Sequence, residues 1–225
     1  MVPSVTILQL DTQFPRVAGD VVCADTYIGD IEILRVPNAT VGQTVSADPA
    51  TIPITPFEDA LAQARGDIIV TSCGFLSYWQ AHLAAQTDKP FISSALTALP
   101  ALCATHNAQD ILTVTFDADS LNESHFGAHH TDVIGLAKDM HLRQVISQNH
   151  LTLNVARACN EITDFVAAQC RSNHKHVLLE CTNLPPYKHA IAARTGLPIT
   201  DILTCIESVR AGTIRPEFLT QHRSV

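Results

Sequence analysis

Two apolar runs that each end in a cysteine lie half a chain apart. GDIIVTSC ends at Cys73 and KHVLLEC ends at Cys181, 108 positions later in a chain of 225 residues. The offset persists beyond them. Lys89-Pro90-Phe91-Ile92 meets Leu197-Pro198-Ile199-Thr200, with Pro90 and Pro198 again 108 apart. Each half therefore reads as an apolar strand ending in cysteine, a helix, a proline and a further strand. Self-similarity of this kind predicts a duplicated α/β lobe.

The rest of the chain alternates in the same way. Strand patterns fall at residues 5–10, 31–36, 67–71, 91–94, 111–116, 133–137, 177–180 and 199–203. Several are continuous apolar runs, the signature of parallel strands covered on both faces. Helical patterns lie between them, at residues 57–65, 76–85, 136–171 (with a break near 147–150) and 186–194, the last closed by Gly196. Strand–helix alternation predicts an α/β protein with parallel sheets. Residues 36–57 and 119–131 read as long loops, which in such domains often cover a site.

Composition narrows the function classes. With 14 basic against 22 acidic residues the net charge is −8, which points away from nucleic acid as a partner. No apolar stretch is long enough to span a bilayer, and residues 1–10 lack the basic region of a signal peptide. Seven cysteines without a CxxC, in a chain of this length, do not read as a disulfide scaffold or a zinc ribbon. The expectation is a reduced, cytoplasmic protein whose partner is a small molecule. There is no Walker sequence, GxGxxG or GxSxG, so no cofactor and no serine nucleophile are expected. His125, His129 and His130 share a loop, but no further ligand completes a metal set at a familiar spacing.

Ligands of doubly wound sheets sit beyond the carboxyl ends of the strands. Cys73 and Cys181 both fall there, at the start of a following helix, where the helix N-terminus lowers a thiol pKa. Gly74 lets backbone N–H groups approach a ligand, and Asn183 is a fair N-cap ahead of two prolines. If the halves are related by a pseudo-twofold axis, the thiols face each other across one cleft. One can then remove a proton from a carbon while the other returns a proton to the opposite face, without a cofactor. The bland alternative is two buried, inert cysteines.

The strand ending in Asp11-Thr12, the Ser72-Cys73-Gly74 strand end and the run Glu180-Cys181-Thr182-Asn183-Leu184 resemble the aspartate/glutamate racemase superfamily. That superfamily includes amino-acid and hydantoin racemases, maleate isomerases and arylmalonate decarboxylases. The resemblance implies two pseudo-symmetric Rossmann-like lobes with parallel four-stranded sheets and one active site between them. The lobes would be residues 1–104 plus 206–225, and residues 105–205. It also implies Cys73 and Cys181 as catalytic acid and base, and a homodimer. Gly74-Phe75 stands where amino-acid racemases of the family usually have Asn-Thr, and Thr182-Asn183 where they have Thr followed by Glu or His. This points away from aspartate and glutamate as substrates, and Cys181-Thr182-Asn183-Leu184 is similar to maleate isomerases.

Substrate contacts are expected from Gly74, Phe75, Thr182 and Asn183 beside the cysteines. Asp11 and Thr12 border the cleft if they do more than end a strand. In the family an acidic residue there orients the thiol or the substrate amine. Arg16 can clamp a carboxylate in bidentate fashion, or be a solvated surface residue. Thr115 ends the first strand of the second half, opposite Asp11. The leading expectation is a cofactor-independent racemase or epimerase of a small carboxylate- or carbonyl-activated substrate, with both thiols required. A maleate-type cis–trans isomerase or a lyase using a cysteine nucleophile is the alternative. A small-molecule binding or redox-sensing protein is the third.

Overall fold

The computed structural model describes residues 4–219; residues 1–3 and 220–225, assigned above to the first lobe, lie outside the described residues. Eight strands form two parallel sheets among them. Val5–Gln9 (β1), Ile31–Arg35 (β2), Ile68–Thr71 (β3) and Phe91–Ile92 (β4) make the first. Ile111–Thr115 (β5), Asp132–Gly135 (β6), His176–Leu179 (β7) and Ile199–Thr200 (β8) make the second. The strand orders, β2-β1-β3-β4 and β6-β5-β7-β8, are the same. Both sheets are parallel throughout, with Val5 opposite Ile68 in one and Ile111 opposite His176 in the other. The duplication read from two cysteines thus extends to whole lobes.

The central strands β1, β3, β5 and β7 are buried along their full length. Helices cover both faces, so no solvent side exists to impose alternation. Their threonines find partners inside: Thr6 donates to a Glu32 carboxylate oxygen at 2.7 Å and Thr71 to the Ser93 carbonyl at 2.6 Å. The edge strand β2 is only partly covered.

The helices are Val41–Thr44 (α1), Thr55–Leu61 (α2), Gln80–Ala84 (α3), Leu99–Cys103 (α4), Glu123–Phe126 (α5), His141–Ser147 (α6), Val155–Gln169 (α7), Lys188–Thr195 (α8) and Ile202–Val209 (α9). In α7, Ala158, Ile162 and Val166 recur at four-residue intervals and are buried, and the Asn154 side chain caps the helix by accepting the Arg157 N–H. Gly196 ends α8 at φ +71°, as its position past the last helical residue predicts.

Several boundaries differ from expectation; α2 ends at Leu61 rather than at residue 65, and β4 at Ile92 rather than at residue 94. The helical pattern at residues 136–171 begins only at His141. The segment 76–85 is helical as α3 only from Gln80, behind a tight 3₁₀ stretch over Gly74–Trp79. The last strand stops at Thr200, because Asp201 caps α9: its Oδ1 accepts the Thr204 N–H at 2.8 Å. Ile202, Leu203, Cys205 and Ile206 of α9 are buried in the core of the first lobe, so the chain returns to that lobe at Asp201. Lys188 Nζ of α8 pairs with Asp201 Oδ2 at 2.7 Å, both side chains fully buried. Among the described residues no helix is long and apolar enough to cross a membrane.

Candidate active site

A cavity lies where the carboxyl ends of β1, β3, β5 and β7 meet between the lobes. Leu10, Phe14 and Arg16 reach it from the segment after β1, Ser72, Cys73, Gly74 and Phe75 from that after β3, and Phe116 from β5. Glu180, Cys181, Thr182 and Asn183 follow β7. Val41, Val45 and Ile146 complete an apolar wall. The first two belong to the loop at residues 36–57, which does lie over the site. Thr182 Oγ1 donates to the Ser72 carbonyl at 2.7 Å, joining two strand ends 110 residues apart.

Both cysteines line this one cavity, and all seven cysteines are free thiols. Their expected acidity is reversed. Burial, and next the Glu180 carboxyl, push the Cys73 thiol up to about 12, against the lowering effects of the Phe75 N–H and Arg16. Burial and next Glu180 raise the Cys181 thiol too, against the Asn183 N–H. The few N–H groups at these short turns are outweighed by the loss of water around a thiolate. At neutral pH both thiols are therefore neutral.

Glu180 stands between the lobes and is 1% exposed. Burial raises its carboxyl to about 7, although Thr115 Oγ1 donates to Oε2 at 2.6 Å. The other oxygen, Oε1, is buried without a hydrogen-bond partner. It packs against the backbone at Gly74. A Cβ there would fall 2.6 Å from the Glu180 carbonyl oxygen and closer still to Oε1, so the approach of Glu180 requires a glycine. A carboxyl raised from 4.5 to about 7 binds its proton more tightly in the folded protein. Its stability contribution is therefore full below pH 4.5 and lost as pH rises through 7, a change of about 3 kcal/mol. Glu180→Gln is expected to flatten this part of the stability–pH curve, measured by urea unfolding between pH 5 and 8.

Arg16 is held from behind. Nη1 reaches both Asp20 oxygens at 3.3 Å and Nη2 donates to Thr12 Oγ1 at 3.0 Å, while Nε is buried without a partner. The guanidinium also stacks on Phe14, 4.2 Å from the ring centre. Asp20 further accepts from Asn183 Nδ2 at 2.7 Å. The Cys181 Sγ–H faces Asn183 Oδ1 at 3.9 Å. Asp20 thus ties the arginine of one lobe to the cysteine loop of the other.

Of the residues picked from sequence, Cys73, Cys181, Arg16, Gly74, Phe75, Thr182 and Asn183 line the cavity. Thr12 and Thr115 stand behind it, supporting Arg16 and Glu180. Asp11 turns away. Its carboxylate lies 3.6 Å from Arg35 and accepts the Asn38 N–H, because successive side chains at a strand end alternate in direction and Leu10 takes the inward one. Phe116 and Glu180 had a legible signal, since each directly follows a central strand. Asp20 had only its i,i+4 spacing from Arg16. Phe14 and Ile146 had none. His125 caps α5 with Asn122, and its ring packs edge-on against Phe75 at 5.2 Å.

No model of a known protein family matches the chain. It is 28% identical over 96% of its length to dimethylsulfoniopropionate lyase 3 of Emiliania huxleyi (strain CCMP1516), of which it spans 61%. It is 26% identical over 96% of its length to a dimethylsulfoniopropionate lyase of Durusdinium sp. clade D, spanning 77% of it. Among solved structures, allantoin racemase from Klebsiella pneumoniae superposes with a TM-score of 0.58 at 13% identity, over 99% of this chain and 96% of that one. Glutamate racemase from Francisella tularensis subsp. tularensis does so at 0.54 and 12% identity, over 92% and 79%. The chain shares the two-lobe α/β fold of these two racemases.

Proposed function

We propose that the chain is a cofactor-independent lyase, using a cysteine as base on a small carboxylate that carries a sulfonium leaving group at its β-carbon. The carrying observation is the pair of thiols in one small, mostly apolar cavity lined also by Arg16, whose Nε is buried without a hydrogen-bond partner. The curated relatives named for dimethylsulfoniopropionate lysis support elimination as the outcome.

The substrate carboxylate sits against Arg16 Nε, which withdraws charge and acidifies the adjacent C–H. The substrate's own cation offsets the Glu180 charge and part of the burial cost that together keep the thiols neutral, so a thiolate becomes accessible when substrate enters. The thiolate takes the α-proton. The C–H electrons form the carbon–carbon double bond, and the carbon–sulfur bond breaks with its pair going to sulfur. The products are neutral dimethyl sulfide and acrylate. The thiol then loses its proton to water, and no redox partner enters the balance. The leaving sulfide needs no proton, so one thiol suffices.

Racemisation is the second reading, favoured by the retention of both thiols and by the racemase fold. The second thiol would then return a proton on the opposite face. Proton NMR of the reduced protein in D₂O decides between them. With dimethylsulfoniopropionate, the lyase reading expects vinyl protons of acrylate and the methyl signal of dimethyl sulfide. Loss of an α-proton signal from an amino acid or hydantoin, with dimethylsulfoniopropionate intact, would overturn it in favour of the racemase.

A further inference from the structure

Nearly every polar side-chain atom around the cavity is already committed inside the protein. Ser72 Oγ accepts the Leu10 N–H and Thr182 Oγ1 donates to Ser72. Asn183 is spent on Asp20 and Cys181, and Glu180 Oε2 on Thr115. Apart from the thiols, two buried polar atoms of the lining have no partner among the described residues: Arg16 Nε and Glu180 Oε1. One belongs to a cation and the other to an acid. Buried polar atoms of native proteins are nearly always satisfied, and an orphan calls for an explanation.

We propose that Glu180 is the specificity-determining residue of this site, recognising an onium cation of the substrate while Arg16 takes its carboxylate. This rests on the lyase reading above and names its substrate class: small zwitterions whose positive group cannot hydrogen-bond. The cavity that Glu180 shares is also lined by Leu10, Phe14, Val41, Val45, Phe75 and Phe116, methyl-bearing and aromatic surface that suits a methylated cation. A primary ammonium would bring three N–H donors and find one free acceptor. Asp11, the acid expected to serve an amine, is turned to Arg35. A carboxyl raised to about 7 by burial alone is also one that a bound cation returns to the ionised form.

The test uses two ligands of the same shape that cannot undergo elimination: dimethylsulfonioacetate, which has no β-carbon, and 3-methylbutanoate, its uncharged-tail counterpart. Calorimetric Kd values on the reduced wild-type protein are expected to favour the sulfonium at least about tenfold, the size of one charge-assisted contact. Glu180→Gln is expected to bring the two within about twofold, leaving 3-methylbutanoate as tight or tighter. Arg16→Met is expected to weaken both. Equal affinity in the wild type, failure of both to bind, or a preference that survives Glu180→Gln would overturn the proposal. The two readings fail separately. Cleavage of dimethylsulfoniopropionate without a sulfonium preference removes the role of Glu180 and keeps the lyase. A Glu180-dependent preference without cleavage does the reverse.

Discussion

Cys73→Ala is expected to lower turnover by about 10²- to 10⁴-fold, the usual worth of a positioned general base, while Cys181→Ala keeps elimination within about tenfold of wild type. The asymmetry follows from the site. The Arg16 guanidinium favours the thiolate of Cys73. Cys73 therefore stands beside the group that would hold the substrate carboxylate, and hence next to the α-carbon. Elimination removes one proton and returns none, so the thiol on the far side is dispensable. Racemisation needs both, and there each alanine variant would lose activity alike. Initial rates of both variants, with thermal melts to verify folding, separate the two. Equal collapse of both would sink the lyase assignment, and full activity of Cys73→Ala would sink Cys73 as the base.

Lys188→Met is expected to cost about 3–5 kcal/mol of stability, which in a chain of this size lowers the melting temperature by about 6–20 °C. Lys188 and Asp201 are both fully buried and paired at 2.7 Å. Removing the lysine leaves a carboxylate with no counter-charge in a dry core, and the loss is set by that stranded charge more than by the lost attraction. The pair also sits at a topological joint. Asp201 ends β8, caps α9 and marks the return of the chain to the first lobe. Asp201→Asn added to Lys188→Met removes the stranded charge and keeps a capping oxygen for the Thr204 N–H, so it is expected to recover part of the loss. Denaturant unfolding of the wild type and both variants measures this. A single-variant loss under about 1 kcal/mol would mean that water reaches the site.

Much of the architecture is written in local pattern. Continuous apolar runs mark strands covered on both faces because period-2 alternation disappears when neither face is wet. All eight runs became strands. The boundaries that slipped did so where a side chain overrode propensity, as Asp201 does by capping a helix inside an apolar stretch that otherwise reads as strand. The seven cavity residues picked in advance sit at strand ends or in the first loop, where topology alone concentrates function.

The remainder depended on partners far away in the chain. Leu10 and Asp11 are adjacent, and which one faces the site is set by the register of β1 between β2 and β3. Cys73 and Cys181 precede turns that by themselves favour thiolates. Burial by residues from both lobes, with Glu180 inserted against Gly74, makes them neutral instead. The sequence by itself determined two α/β lobes and two thiols at equivalent strand ends, because short-range periodicity and spacing carry that information. Only the tertiary structure decided that Glu180 and Arg16 are left with open valences and that the thiols rest protonated. Solvation and pairing of a buried charge depend on every group around it, and here those groups come from segments about a hundred residues apart.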